Sequence, residues 1–318
     1  MLVTAPPNGS DHRSIAWLAR KHALTVLPSV ASLRRVAQPS LAAKPFIGFG
    51  NPLLEGHQHH PQYGSYYRQQ AQLARDNQGC QPTARQAVAS LRATHRGVAA
   101  VAMRGGLADV DDVRAQTPLP ETADEVCAVA SHLNVQSADI RLGAHATERE
   151  VKTLSETGVL AQYRIVHFAT HGALAGQLSN TTEAGLILTP PETATAVDDG
   201  YLSASEIAAL KLDADWVILS ACNTAAGGAT GAEALSGLAR AFFYAQARAL
   251  LVSHWAVYSD ATVKLVTATA KAATLDRSVG RAEALRRAML ALMDSGTPHE
   301  AHPSFWAPFV VVGEGAVK

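Results

Sequence analysis

Two apolar runs, each followed by a chemically reactive residue, constrain the fold of this chain more than any other feature. One run, Tyr163–Ala169, leads into His171, and the other, Trp216–Leu219, leads into Cys222. Strands that are apolar throughout are typical of a parallel sheet covered on both faces. If one helical crossover joins the two strands, both reactive residues lie side by side at the carboxyl edge of the sheet, where α/β proteins bind ligands.

The rest of the chain continues this alternation of strands and helices. Apolar strand patterns occur at residues 46–50, 139–142, 185–189, 249–253 and 309–312, and helical patterns lie between most of them. Such an order predicts an α/β fold with a mostly parallel sheet of about six strands between two helical layers. A turn at Asp198-Asp199-Gly200 also predicts a hairpin or lid within residues 173–200.

Composition narrows the classes of partner. Hydrophobic residues make up 47% of the 318 residues and charged residues 17%, which is typical of a folded chain. A net charge of +0 argues against nucleic acid or an anionic membrane as a partner. The three cysteines, Cys80, Cys127 and Cys222, are widely spaced, so we expect no disulfide framework and a reducing, cytoplasmic location. No 18-residue apolar stretch is present.

Composition along the chain predicts two unequal parts. Residues 1–45 are expected to form an irregular cover with one small strand, and residues 46–318 the main domain. Within that domain, the polar stretch around 55–86 is expected to be a mobile surface insertion. We expect Cys127 to pack in a helix and Cys80 to be an incidental loop residue. The histidines near residues 57–60 lack cysteine partners, and we predict neither a metal nor a cofactor.

Several short motifs occur in order along roughly residues 45–313. They are Phe49-Gly50-Asn51-Pro52, Leu119-Pro120-Glu121-Thr122-Ala123-Asp124-Glu125-Val126, His167-Phe168-Ala169-Thr170-His171-Gly172, Leu202-Ser203-Ala204-Ser205-Glu206-Ile207, Leu219-Ser220-Ala221-Cys222-Asn223-Thr224, Gly237-Leu238-Ala239-Arg240-Ala241-Phe242, Ser253-His254-Trp255 and Trp306-Ala307-Pro308-Phe309. Together these motifs resemble the CHAT domain family, whose members are caspase-like cysteine peptidases often linked to tetratricopeptide repeats.

This resemblance implies a caspase-like three-layer α/β/α fold and a His/Cys dyad. Cys222 is the candidate nucleophile and His171 the candidate general base and acid, and their separation of 51 residues is close to the caspase spacing of about 50. The backbone N–H groups of Gly172 and Cys222 would receive the oxyanion. We interpret His167, in the same strand, as a packed histidine rather than a second base.

The walls of the substrate pocket are less constrained by the sequence. Candidates are Ser253, His254 and Trp255 at the end of a strand, together with Asp260. Asp198 and Asp199 would make an acidic pocket suited to Arg or Lys before the scissile bond, or they simply cap turns. The expected substrate is a protein or peptide, and the family resemblance implies a possible tetratricopeptide-repeat partner.

Two functions stay open from the sequence. One is a cysteine endopeptidase that a partner or complex regulates. The other is a catalytically silent interaction or signalling module of the same CHAT fold, because a preserved dyad does not guarantee a preorganised one. The chain also departs from the family at Gln246, where members usually have glycine in the turn after a helix. We expect Gln246 to adopt the left-handed conformation that glycine takes without strain.

Overall fold

The apolar runs form one seven-stranded sheet in the computed structural model. The structure describes residues 3–5, 11–27, 40–80, 106–135, 137–220, 237–255, 259–276 and 278–316. The strand order is β1-β10-β9-β8-β4-β2-β3. All neighbouring pairs are parallel except β10 with β9. The strands are β1 (Thr25–Val26), β2 (Lys44–Gly50), β3 (Ile140–Leu142), β4 (Tyr163–Ala169), β8 (Trp216–Leu219), β9 (Ala249–Ser253) and β10 (Phe309–Gly313).

Helices cover both faces of this sheet, so the predicted α/β class with a mostly parallel sheet is confirmed. Helices α4, α5 and α6 pack on one face and α3, α7, α8 and α9 on the other. The described helices are α1 (Gly64–Asp76), α2 (Val110–Arg114), α3 (Thr122–His132), α4 (Glu148–Glu156), α5 (Ala204–Ala209), α6 (Gly237–Tyr244), α7 (Ser259–Leu275), α8 (Arg281–Ser295) and α9 (Pro303–Trp306).

Alternation along β4 shows how the two faces are built. Val166 and Phe168 point into the core beneath α4, α5 and α6, whereas Ile165 and Ala169 point into the core beneath α3 and α7. On the second face α3 lies directly against β2. A Cβ atom added at Gly48 would stand 2.5 Å from the Val126 side chain, so this close approach requires glycine.

A second, three-stranded antiparallel sheet follows β4. It is formed by β5 (His171–Ala173), β6 (Gly185–Ile187) and β7 (Tyr201–Ser203), in that order. The sequence predicted a hairpin or lid here, and the hairpin is present. Leu178, in the connection between β5 and β6, is buried in a small core with Ala173 and Tyr201. Ser203 also caps α5 through a reciprocal hydrogen-bond pair with Glu206.

The amino-terminal segment does more than cover the domain. Thr25–Val26, the predicted small strand, pairs in parallel with β10 and becomes an edge strand of the main sheet. Trp17 is buried against Trp306, with ring centroids 5.4 Å apart. The segment therefore belongs to the same hydrophobic core as the domain that follows it.

The sequence predicted a mobile insertion around 55–86, and the described part of this stretch, 55–80, contains a helix. Helix α1 lies here, with Ala71 and Ala74 buried. The buried Asn51 side chain donates from Nδ2 to the carbonyl oxygens of Ala74 and Asn77, both at 2.8 Å. A buried amide holds the end of this helix instead of a broad apolar stripe, which explains why hydrophobic periodicity did not reveal it.

Cys127 packs in α3 as predicted, but the expectation of no disulfide is wrong. Cys80 and Cys127 form a disulfide with their Cα atoms 5.4 Å apart. The two residues are 47 positions apart in sequence, and the packing of the chain beyond α1 against α3 brings them together. Cys80 is therefore not incidental, and the argument from cysteine spacing for a reducing compartment no longer holds.

Gln246 adopts the left-handed conformation that we predicted, with φ of 75°. Its N–H donates to the Phe243 carbonyl at 3.1 Å, and the Ala247 N–H donates to the Phe242 carbonyl at 2.9 Å. These two bonds are the Schellman arrangement that ends a helix. Asn134 ends α3 in the same way, with φ of 52°.

We predict that Gln246→Gly leaves the free energy of unfolding unchanged or raises it by less than about 1 kcal/mol. Glycine relieves a Cβ penalty of about 1 kcal/mol in the left-handed region, but it also gains freedom in the unfolded chain. The exposed side chain of Gln246 offers little packing to lose. Denaturant unfolding measures the change, and Asn134→Gly is the matched control with no expected gain because asparagine tolerates this conformation. A loss of several degrees in Tm for Gln246→Gly would contradict the prediction.

A second prediction concerns the disulfide. Replacing both Cys80 and Cys127 by serine should lower the free energy of unfolding by about 2–4 kcal/mol, because the cross-link closes a long loop in the unfolded chain. Denaturant unfolding without reductant measures this loss, and Cys222→Ser serves as a control that removes a thiol without removing a cross-link. Thiol titration of the denatured, unreduced protein should find one free thiol, whereas three would contradict the pairing.

Candidate active site

The carboxyl ends of β4 and β8 meet at one edge of the main sheet. Phe168 pairs with Leu219, and the Ser220 N–H donates to the Phe168 carbonyl oxygen at 3.1 Å, which extends the pairing by one residue. The register of β8 with β9, continued by two residues, brings Ser253 beside Ser220. Three strand ends therefore face the same edge, as the sequence predicted.

His171 follows β4 at this edge, as the first residue of β5. Its Nε2 atom lies 2.7 Å from the carbonyl oxygen of Thr117, which precedes α3 in the chain. A carbonyl oxygen can only accept, so Nε2 carries the proton and the neutral ring keeps an unprotonated Nδ1. Burial lowers the pKa of the imidazole, and the hydrogen bond to Thr117 opposes that shift. The ring is thus suited to accept a proton at Nδ1 near neutral pH.

The other members of the predicted centre are only partly visible. Gly172 lies next to His171 in β5, opposite Leu186. Cys222, the predicted nucleophile and second oxyanion donor, lies outside the described residues. The described residues therefore bring His171 and Gly172 to the carboxyl edge. Ser220, which follows β8 at the same edge, precedes Cys222 by two residues in sequence.

The predicted pocket residues differ in their surroundings. Ser253 is completely buried at the end of β9, whereas Trp255 is partly buried. Trp255 lines a cavity of about 220 Å³ together with Trp17, Met289 and other residues of the second core face. Asp260 is exposed in the first turn of α7.

Asp198 and Asp199 have structural roles in the turn before β7. The carboxylate of Asp199 accepts the N–H groups of Ala108 and Tyr201, at 2.6 and 2.9 Å. Asp198 is buried and lies 3.5 Å from Nε of Arg149. Burial raises the pKa of Asp198, since desolvation disfavours its charge. The alternative in which these aspartates cap turns therefore fits the structure better than an open acidic pocket.

A second histidine lies directly below this edge. His167 is completely buried, and its Nε2 atom is 2.9 Å from Oε1 of Glu125 and 3.0 Å from Oγ of Ser220. Its burial agrees with our interpretation of a packed strand histidine. Sequence reasoning missed both Glu125 and Thr117 as partners of histidines, because each lies more than 40 residues before its histidine and no local pattern joins them.

None of the described helices is long and apolar enough to cross a membrane.

The sequence of this chain is similar to a known family and to a known protein. The family model of the CHAT domain matches residues 4–314. Tetratricopeptide repeat protein 28 of Mus musculus is 29% identical over 223 residues, which cover 62% of this chain and 9% of the mouse protein. This chain thus corresponds to a small part of that relative.

Two solved structures are also similar. The arginine-specific cysteine proteinase gingipain R has a TM-score of 0.40 and 12% identity over 61% of this chain and 42% of its own. A second structure, described as a protease, has a TM-score of 0.36 and 15% identity over 59% of this chain and 40% of its own. The match to the family model covers nearly the whole chain, and this protein therefore belongs to the CHAT domain family.

Proposed function

We propose that this protein is a caspase-like cysteine endopeptidase in which Cys222 and His171 form the catalytic dyad. The observation that carries the proposal is the hydrogen bond from His171 Nε2 to the Thr117 carbonyl at the carboxyl edge of the sheet. This bond selects the tautomer and the orientation of the ring, which a general base requires. Membership of the CHAT domain family supports the same chemistry.

The register of the two strands supports the pairing of the dyad. Phe168 and Leu219 are directly paired neighbours, and His171 and Cys222 each follow their member of this pair by three positions. Three residues of extended chain reach about 10 Å, and both segments start from the same edge. The two side chains thus begin from strand ends about 5 Å apart, the ordinary spacing of paired strands.

The reaction requires His171 to accept and then donate a proton in each of two steps, acylation and hydrolysis. His171 takes the proton of the Cys222 thiol at Nδ1, and the thiolate attacks the scissile carbonyl carbon to form a tetrahedral adduct. The N–H groups of Gly172 and Cys222 stabilise its oxyanion. The adduct collapses to a thioester as His171 gives its proton to the leaving amine. His171 then takes a proton from water, whose oxygen attacks the thioester carbonyl carbon. The C–S bond breaks, the carboxylic acid product leaves, and His171 returns the proton to the Cys222 sulfur.

The substrate and partner belong to the same proposal. A protein or peptide is the substrate, and Trp255 and Asp260 contribute to the pocket beside the dyad, while Ser253, which is completely buried, supports the pocket without contacting the substrate. Regulation by a repeat protein or a larger complex is supported by the mouse relative, whose name denotes tetratricopeptide repeats. Such a partner would restrain a peptidase whose site faces an open sheet edge.

We predict that Cys222→Ala and His171→Ala each abolish peptide hydrolysis and leave the fold intact. Because the two residues act as a unit, the double variant should be no less active than either single variant. Turnover of a fluorogenic peptide library measures activity, circular dichroism checks the fold, and Ser155→Ala, at a buried serine of α4, is the control that keeps activity. Retained turnover in purified Cys222→Ala would overturn the dyad. A wild-type chain that neither cleaves peptides nor reacts with electrophilic peptides would instead be a silent interaction module.

The pH dependence of hydrolysis gives a further prediction. Since burial lowers the pKa of His171, its imidazole should stay neutral below the ordinary value of about 6.5. A base with a lowered pKa is protonated only at lower pH, so the acid limb of kcat/KM should lie below about pH 6.5. Rate profiles at constant ionic strength test this. An acid limb at or above the ordinary histidine value would contradict the proposed state of His171.

A further inference from the structure

Three buried polar side chains form a hydrogen-bond network beneath the carboxyl edge of the sheet. Glu125 of α3, His167 of β4 and Ser220 at the end of β8 are 1%, 0% and 6% exposed. His167 Nε2 lies between the other two, 2.9 Å from Glu125 Oε1 and 3.0 Å from Ser220 Oγ. The network therefore joins one helix to two neighbouring strands.

The order of donors follows from the chemistry of the groups. A carboxylate only accepts, so His167 Nε2 carries a proton that Glu125 and Ser220 share. The Ser220 hydroxyl then directs its own proton toward the Phe168 carbonyl oxygen, 3.5 Å away. Each side chain is thereby oriented by the next, from α3 to Ser220, the last described residue before Cys222.

Stability does not explain why this network exists. His167 Nδ1 is buried and has no hydrogen-bond partner among the described residues, which is a cost that an apolar side chain would avoid. Its neighbours on the same face of the sheet, Phe46 and Ile218, are apolar and buried. An apolar residue at position 167 would pack as they do. We therefore infer that the polar side chain of His167 has a role other than filling the core.

The position of Ser220 indicates that role. Its N–H is bound by the Phe168 carbonyl and its side chain by His167, so this residue is held from two directions. Cys222 lies two residues further along, and two residues of chain reach at most about 7 Å. The position of Ser220 therefore limits where the nucleophile can lie, whereas His171 is anchored separately through Thr117.

We propose that Glu125, His167 and Ser220 are positioning residues that hold the end of β8 so that the Cys222 thiol forms within reach of the His171 imidazole. This inference rests on the proposed function of the dyad. It predicts a specific property of Cys222: a thiol whose proton can pass to the neutral imidazole of His171 is alkylated at a lower pH than an isolated thiol of pKa about 8.5, and a displaced thiol returns toward that value.

Alkylation by iodoacetamide measures the ionisation of Cys222 without requiring turnover. The rate of modification of the Cys222 peptide, followed by mass spectrometry from pH 5 to 10 on the intact chain, gives the midpoint at which the thiolate forms (about 8.5 for an unperturbed thiol). Ser220→Ala removes the hydroxyl of the network. Ser155→Ala is the matched control, because Ser155 is buried to a similar extent, at 4% exposure, and accepts one hydrogen bond from the Lys211 N–H at 2.9 Å.

We expect a wild-type midpoint well below 8.5, a midpoint in Ser220→Ala that moves up by at least about one pH unit, and no movement in Ser155→Ala. Both alanine variants should lose a few degrees of Tm, so loss of stability would not explain the difference. Glu125→Gln keeps the shape of the side chain and weakens its hydrogen bond, and it should shift the midpoint in the same direction if Ser220→Ala does not fold.

The outcomes separate the two proposals. A low wild-type midpoint that Ser220→Ala and Glu125→Gln leave unchanged would overturn the positioning network and leave the dyad intact. An equal shift in Ser155→Ala would also overturn the network, since it would reflect general loosening. A wild-type midpoint near the ordinary thiol value, together with absent hydrolysis, would overturn the proposed dyad itself.

Discussion

The parallel pairing of β4 with β8 is the constraint on which the rest of the structure depends. Both strands are buried on both faces, so a slip of one residue would expose or invert every side chain between two helical layers. This burial sets Phe168 against Leu219. Everything at the carboxyl edge, including the start of β5 and the position of Ser220, follows from that single register.

Around this pairing, polar groups connect segments that are distant in sequence. They lie at strand and helix ends, where apolar packing alone would leave the orientation of the chain unfixed. Asn51 binds the end of α1, Glu125 reaches from α3 to His167, and the Thr117 carbonyl meets His171. Each of these contacts is buried or partly buried, where an unpaired polar group is costly and a paired one is strongly directional. The apolar core thus sets where the strands lie, and the polar contacts set how the ends of these strands are oriented.

The segment between the two disulfide cysteines has a particular importance for the site. Thr117 and Glu125 both lie between Cys80 and Cys127, and each contacts a histidine of the β4 region. Cys127 is on the same helix as Glu125, and α3 approaches β2 so closely that Gly48 has no room for a side chain. The cross-link and this close packing together hold α3 in the place from which its carboxylate reaches the sheet.

The sequence by itself determined the class of fold, most strand positions, the left-handed turn at Gln246 and the family, because these depend on local periodicity, turn chemistry and ordered motifs. Only the tertiary structure decided the rest. The disulfide and the contacts of His167 and His171 join residues far apart in sequence, and no local pattern encodes such pairs. The helix at 64–76 likewise depends on the distant side chain of Asn51, which binds its end. Asp198 and Asp199 show the same limit of sequence reasoning, since an aspartate can line a pocket or cap a turn. The structure favours the turn, because both residues are buried and the Asp199 carboxylate accepts backbone N–H groups.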